Sequence, residues 1–290
     1  MNNESKTKIK ALLQAFCERA GSQNKAANML KGVSGPNIHN ILNDKWQSIS
    51  DAYWRLVGSQ VGFETSTWSM VETTNFTQIS ELLNDAQTNN EVYAVVGEAG
   101  CGKSKTCEYY AENNKRVYLL ECSEYWNRKG FMEDLLTAMG ERFEGLTVPD
   151  MVKLAVRSLK SQQSPLIILD EADKLIDSVL YFFITLYNKT EDHAGIVMIA
   201  TDHLEKRITR GVKLNRKGYK EIYSRIGRKF IRLKDAKNAD ITGICHENGV
   251  SDIAKVSEII NESKGDLRRV KRMIHKYKLT NPVNTLEEVA

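Results

Sequence analysis

The sequence predicts an α/β protein: a five-stranded parallel sheet in three layers, preceded by an all-α N-terminal region and followed by a small all-α C-terminal one. Three observations carry this. Five apolar runs, "VYAVVG", "RVYLLEC", "LIILDE", "GIVMIAT" and "KFIRL", alternate with helix-length segments between about 68 and 234, as expected of strand–helix–strand units with parallel strands. "PLIILDEAD" holds four apolar residues in a row, which suits a strand buried on both faces. Residues 1–65 and 235–280 show helical patterning and no such run. The chain therefore divides at 1–65, 66–234 and 235–290.

The N-terminal region opens on "KTKIKALLQAFCERAG", which puts Ile9, Leu12, Leu13 and Phe16 on one helical face and stops at Gly21. Ser22 is placed to cap a second helix over "QNKAANML". After the turn "KGVS", "GPNIHNILND" forms a third helix with Ile38, Ile41 and Leu42 inward. Two short helices joined by a glycine-containing turn have the shape of a helix-turn-helix. The spacing resembles phage-repressor-like DNA-binding domains, with Ala27 at the tight crossing and a turn about one residue longer. On that resemblance Ser34, Asn37, His39 and Asn40 form the DNA-facing side of the second motif helix. A small helical bundle that binds protein, or nothing, is the alternative. Gly62 to Asn75, rich in Ser, Thr and Glu, reads as a linker.

The first strand runs into "GEAGCGKSKT". Gly97, Gly100 and Gly102 fit the spacing G-x-x-x-x-G-K-[S/T] with one extra glycine. Residues without a Cβ let the backbone turn tightly and aim several N–H groups at one point, and with the following helix, Lys103 to Asn113, they make an anion cradle. The binding loop is then Gly97, Glu98, Ala99, Gly100, Cys101, Gly102, Lys103, Ser104 and Lys105. Lys103 reaches the β- and γ-phosphates of ATP, and the Ser104 hydroxyl holds Mg²⁺. A chance glycine turn is the bland alternative.

The third strand ends in Asp170-Glu171. In a nucleotide site the first carboxylate binds Mg²⁺, usually through water, and the second polarises the attacking water. Acids in the first turn of a helix after a strand are common for another reason, the helix dipole. The phosphate loop upstream favours the catalytic reading. The C-terminal region supplies "NADITGICHENG" and "SDIAKVSEIINESKG", each opening on a cap and ending at glycine.

Composition sets limits. The chain has 290 residues, 41% of them apolar, and no run of about 18 apolar residues, so no transmembrane helix and no membrane partner are indicated. "MNNESKTKIK" lacks the apolar region of a secretory signal. The five cysteines are scattered, without metal-ligand spacing, and read as reduced thiols of a cytoplasmic protein. The net charge of +4 is uneven: Glu205 to Lys234 holds twelve Lys/Arg against two Glu, and Lys264 to Lys278 seven against one Asp. Such runs are either solvated surface or a face for the phosphate backbone of nucleic acid.

These features together resemble the AAA+ ATPases, over roughly 210 of the 290 residues. The resemblance implies a P-loop AAA+ core, an N-terminal helix-turn-helix domain and a C-terminal helical lid. "IVMIATDHL" ends in a polar residue at the family's sensor 1 position, Thr201. "EIYSRIGRKF" lies where the family places an arginine finger serving the next subunit, which makes Arg225 the first candidate and Arg228 the second. "SKGDLRRVKRMI" matches the pattern opening a lid helix, so Arg268 carries over as sensor 2. An arginine beside the transferred phosphoryl group stabilises the charge that builds there.

Within AAA+ proteins, the order helix-turn-helix, core, lid resembles the bacteriophage transposition protein B (Mu B-type) family. That resemblance places Thr74 and Asn75 at the adenine end of ATP. It implies an ATP-dependent, largely sequence-nonspecific binder of double-stranded DNA, assembled with copies of itself into a ring or helical filament and marking target DNA for a transposase. Arg128 and Lys129 in "YWNRKGF", and Arg210, Lys213, Arg216 and Lys217 in "RITRGVKLNRKGYK", are the candidate DNA contacts; the second segment, with several glycines and no apolar periodicity, reads as a loop. Two other functions stay open: a helicase loader or replication initiator of the same class, and a transcriptional regulator whose N-terminal domain reads one operator.

Overall fold

The computed structural model describes residues 1, 3–63 and 68–281. Four helices come first: α1 (Asn3–Ala20), α2 (Gln23–Met29), α3 (Gly35–Leu42) and α4 (Asp51–Gln60). They close around their own core, with Ile9, Leu13, Ile38, Ile41, Trp54 and Val57 fully buried. Gly21 ends α1 in the left-handed region, and the Ser22 hydroxyl accepts from Lys25 N at 3.1 Å to cap α2. The residue with no exposed surface on α2 is Ala26, one position before the expected Ala27, which is only half-buried. The bundle touches the next unit through Asn28 Nδ2, which donates to Gly140 O at 3.1 Å, and through Lys25 and Glu141 at 3.5 Å.

The sheet follows α5 (Thr74–Asn89) and consists of β1 (Val92–Val96), β2 (Val117–Glu121), β3 (Leu166–Asp170), β4 (Gly195–Ala200) and β5 (Ile231–Arg232). Each lies within one of the five apolar runs. All pairings are parallel, in the order β2-β3-β4-β1-β5. Every residue of β3 and β4 is buried, as central strands covered on both faces require. One face packs on α5 and α6 (Lys103–Asn113) through Ile79, Leu83, Cys107 and Tyr110. The other packs on α7 (Arg128–Ala138), α8 (Val148–Lys160), α9 (Asp177–Thr190), α10 (Asp202–Lys213) and α11 (Tyr219–Arg225). This is the three-layer α/β architecture the sequence predicts.

One segment differs from expectation. The run containing Arg210 and Lys213 is not a loop: both sit in the last turn of α10, and only Arg216 and Lys217 follow it. Leu204, Ile208 and Gly211 form the helix's buried face. Gly211 is there for space, not for a bend, since a Cβ on it would lie 2.3 Å from the Tyr219 ring. Gly211→Ala is therefore expected to destabilise the fold by about 1–3 kcal/mol through overpacking, read as a lowered urea midpoint; an unchanged midpoint would show that Tyr219 can move aside.

Three helices, α12 (Asn238–Glu247), α13 (Ile253–Ser263) and α14 (Leu267–Thr280), complete the described chain around Ile241, Cys245, Ile259, Val270 and Ile274. The expected linker is only partly one. Residues 64–67, which hold the 65/66 boundary, lie outside the described residues, as do 282–290 of the C-terminal region. Trp68 and Val71 pack on the C-terminal helices, and Asn248 pairs with the Ser69 backbone, accepting from its N at 2.9 Å and donating to its O at 3.0 Å. All five cysteines are free and buried. No helix among the described residues is long and apolar enough to cross a membrane.

Candidate functional site

The site lies beyond the carboxyl ends of β1, β3 and β4, where open parallel sheets bind ligands. β1 ends at Val96, whose neighbour Gly97 donates to Ala200 O at 3.2 Å across to the end of β4. The loop after it turns through Gly100 at φ +85° and Gly102 at φ +97°, a region that L-residues with a Cβ avoid. α6 starts at once with Lys103 and Ser104 in its first turn.

Lys103 curls back over this loop. Its Nζ donates to Gly97 O at 2.7 Å and Glu98 O at 2.8 Å, and lies 3.6 Å from Cys101 Sγ. The ammonium thus occupies the cradle with neutral acceptors that an anionic phosphate can replace. Glu98, Ala99 and Lys105 are exposed around the rim; the Lys105 side chain pairs with Glu108 at 2.5 Å, turned to its own helix.

Asp170 is buried at the end of β3 with the Ser104 hydroxyl beside it. Burial raises its pKa, while hydrogen bonds from Ser104 and from the Glu171 backbone oppose that rise. No group of three or more His, Cys, Asp or Glu among the described residues could hold a metal alone. A hydroxyl and a carboxylate side by side suit Mg²⁺ in particular, which takes its remaining ligands from water and phosphate oxygens. Bound there, the ion would neutralise charge on the β- and γ-phosphates.

Glu171 stands in the left-handed region at φ +54°, which turns its carboxylate out of the strand line. That carboxylate forms an ion pair with Lys174. Thr201 follows β4, and its hydroxyl donates to Asp173 Oδ2 at 2.8 Å. Asp173 in turn is braced by Arg207. The guanidinium donates to Asp173 O at 3.4 Å, Leu175 O at 2.5 Å and Asp177 Oδ1 at 2.5 Å, and Asp177 also accepts from the Tyr219 hydroxyl at 2.8 Å. Lys174, Asp173 and Arg207 were not singled out from sequence. Asp173 had a signal, standing three residues after Asp170, but Arg207 is one cation among twelve in its stretch.

The C-terminal helices approach from the other side. Leu267 N donates to Gly100 O at 2.9 Å, and Asp266 lies so close that a Cβ on Gly100 would meet its Oδ1 at 2.1 Å. This brings Arg268, exposed and with no ion pair among the described residues, to the lip of the phosphate loop. Asp266 accepts from Arg268 N at 2.8 Å and caps α14.

Two expected nucleotide contacts have other partners. Asn75 is buried, and its amide donates to Cys101 O at 3.1 Å and Lys234 O at 2.7 Å, bracing the loop against the end of β5. Thr74 N and Oγ1 both donate to Asp240 Oδ1, at 2.9 and 3.2 Å, joining α5 to α12. The finger candidates also separate. Arg225 lies over the Tyr187 ring at 5.0 Å with Nη1 3.8 Å from Glu191, so it is held within its own chain. Arg228 is exposed and carries no ion pair among the described residues, which leaves it the freer of the two to reach outward.

The candidate DNA contacts fall in three places. Arg128 and Lys129 are exposed in the first turn of α7, Lys129 3.5 Å from Glu133. Beside them Trp126 is core, in edge contact with Phe131, whereas Tyr125 is 85% exposed. Lys213, Arg216 and Lys217 are exposed at and after the end of α10. On α3, Ser34 and His39 are exposed and Asn37 and Asn40 half-buried, with Asn43 Nδ2 3.2 Å from the His39 ring.

Residues 86–208 match the family described as AAA domain. No curated protein matches the chain. Among solved structures the chain is similar to NtrX from Brucella abortus in complex with ATP, at TM-score 0.50 and 12% identity, covering 90% of this chain and 63% of that one. The chain thus spans less than two thirds of NtrX, and the likeness is one of fold. Fold, phosphate loop and the match over residues 86–208 together define a P-loop core of the AAA+ type.

Proposed function

We propose that this chain hydrolyses ATP to ADP and phosphate with Mg²⁺, and that ATP drives it to assemble on double-stranded DNA, where it marks a target for a transposase. The observation carrying the ATPase reading is the meeting, at one sheet edge, of Lys103, Ser104, Asp170, Glu171 and Thr201, with Arg268 at the lip. Lys103 and Arg268 take the phosphate charge, Glu171 orients the water, and Thr201 senses the phosphate through Asp173. Arg228, or Arg225 once released from Tyr187, serves the nucleotide of a neighbouring copy, which ties turnover to assembly.

The DNA reading is supported by exposed cations at the start of α7 and the end of α10, and by α14, whose Arg268, Arg269, Lys271, Arg272, Lys276 and Lys278 have no acidic residue among them. Binding through these groups reads phosphates, not bases. A second reading, an ATP-responsive regulator with the α2–α3 pair as a helix-turn-helix, is favoured by the separate core of α1–α4 and the polar outer face of α3. Anisotropy of a labelled random-sequence duplex distinguishes them. Tight binding with ATP and none without it is expected, with affinity falling by about tenfold or more between 50 and 200 mM salt. A monomer by light scattering that ignores the duplex at saturating ATP would sink the proposal.

A further inference from the structure

A groove of about 930 Å³ runs between α8 and α9, away from the phosphate loop. Its floor is apolar: Val148, Val152 and Val156 from α8 and Phe182 from α9. Every charged residue on its rim is basic: Lys153, Arg157 and Lys160 on α8, Lys189 beside the neutral Thr185 and Asn188 on α9, and Arg128 from α7. No carboxylate lines it. Lys153 pairs with Asp150 at 3.1 Å; the other four cations have no ion pair among the described residues. Val148 to Lys160 spans about 18 Å at 1.5 Å per residue, the length of about three helical turns.

We infer that this groove is a docking site for an acidic amphipathic helix of a partner protein. An apolar floor removes one face of such a helix from water, and flanking carboxylates meet the rim cations; this is the helix-in-groove mode of recognition. Charge complementarity chooses the sign of the partner, and the floor chooses its class. A DNA backbone satisfies the cations but leaves the half-buried Val148, Val156 and Phe182 facing phosphates and sugars, with no apolar area gained. The inference is independent of the ATPase reading, because the groove shares no residue with the nucleotide site; it shares only Arg128 with the proposed DNA contacts.

The probe is a labelled synthetic peptide of about 14 residues, with leucines on one helical face and glutamates on the other, titrated into the full chain without nucleotide. A Kd of about 10 μM at low salt is expected. The double variant Arg157→Glu/Lys160→Glu, at two exposed positions, should weaken binding at least about tenfold with unchanged circular dichroism and ATP affinity. Val156→Ser should weaken it several-fold, and a scrambled peptide of equal charge but no apolar face should bind far less. Binding that survives the double charge reversal overturns the inference. So does equal binding of the scrambled peptide, displacement of the peptide by a random duplex whose own affinity falls in the same variant, or a change in self-association alone.

Discussion

Glu171→Gln is expected to bind ATP within about twofold of the wild-type affinity and to hydrolyse it at least about a hundredfold more slowly. Glu171 follows buried Asp170 through a left-handed backbone step, and its carboxylate pairs with Lys174. Glutamine keeps the shape and can hold a water, but it cannot draw off the water's proton. Stability should scarcely change: the Lys174 partner is about as exposed as Glu171 itself, and exposed pairs contribute little. Nucleotide titration alongside single-turnover phosphate release checks this. Wild-type turnover in the variant would leave Glu171 as only the partner of Lys174.

The sheet was legible because its central strands, β3 and β4, are buried on both faces, which calls for unbroken apolar runs. The phosphate loop was legible because its conformation demands glycine at set positions. What failed to show is where a residue's role depends on tertiary partners. Gly211 is one of the glycines that make its segment read as a loop, because the Tyr219 ring that requires it is eight residues further on. α4 was not placed, although Trp54 and Val57 fill the N-terminal core. Residues 68–73 lie in a stretch that reads as a tether for its Ser, Thr and Glu, yet Trp68 and Val71 pack on the C-terminal helices and Asn248, 179 positions from Ser69, holds its backbone. Asn75 was assigned to the nucleotide by position, whereas its amide is spent on Cys101 and Lys234. Sequence position put Arg225 ahead of Arg228, but it carries no sign of the Tyr187 ring and Glu191 that hold Arg225, which are facts of packing.

Lys103→Ala should show the largest effect on binding, a loss of ATP affinity of at least about a hundredfold. The Nζ now donates to two backbone carbonyls, at 2.7 and 2.8 Å, which are neutral acceptors. Exchanging them for phosphate oxygens replaces bonds charged on one side by bonds charged on both, and hydrogen bonds to charged groups contribute about 1.5–3 kcal/mol each. Two such bonds make about 3–6 kcal/mol, and each 1.4 kcal/mol is a factor of about ten in affinity. The fold should tolerate the change, since the carbonyls of Gly97 and Glu98 lie at the loop and can turn to water. Nucleotide titration by calorimetry, with thermal denaturation as the control for folding, separates lost affinity from lost structure. A folded variant that binds ATP as well as the wild type would place the nucleotide elsewhere. The roles of Ser104, Asp170 and Arg268 would then fall too, because each is assigned by its distance from the same phosphates.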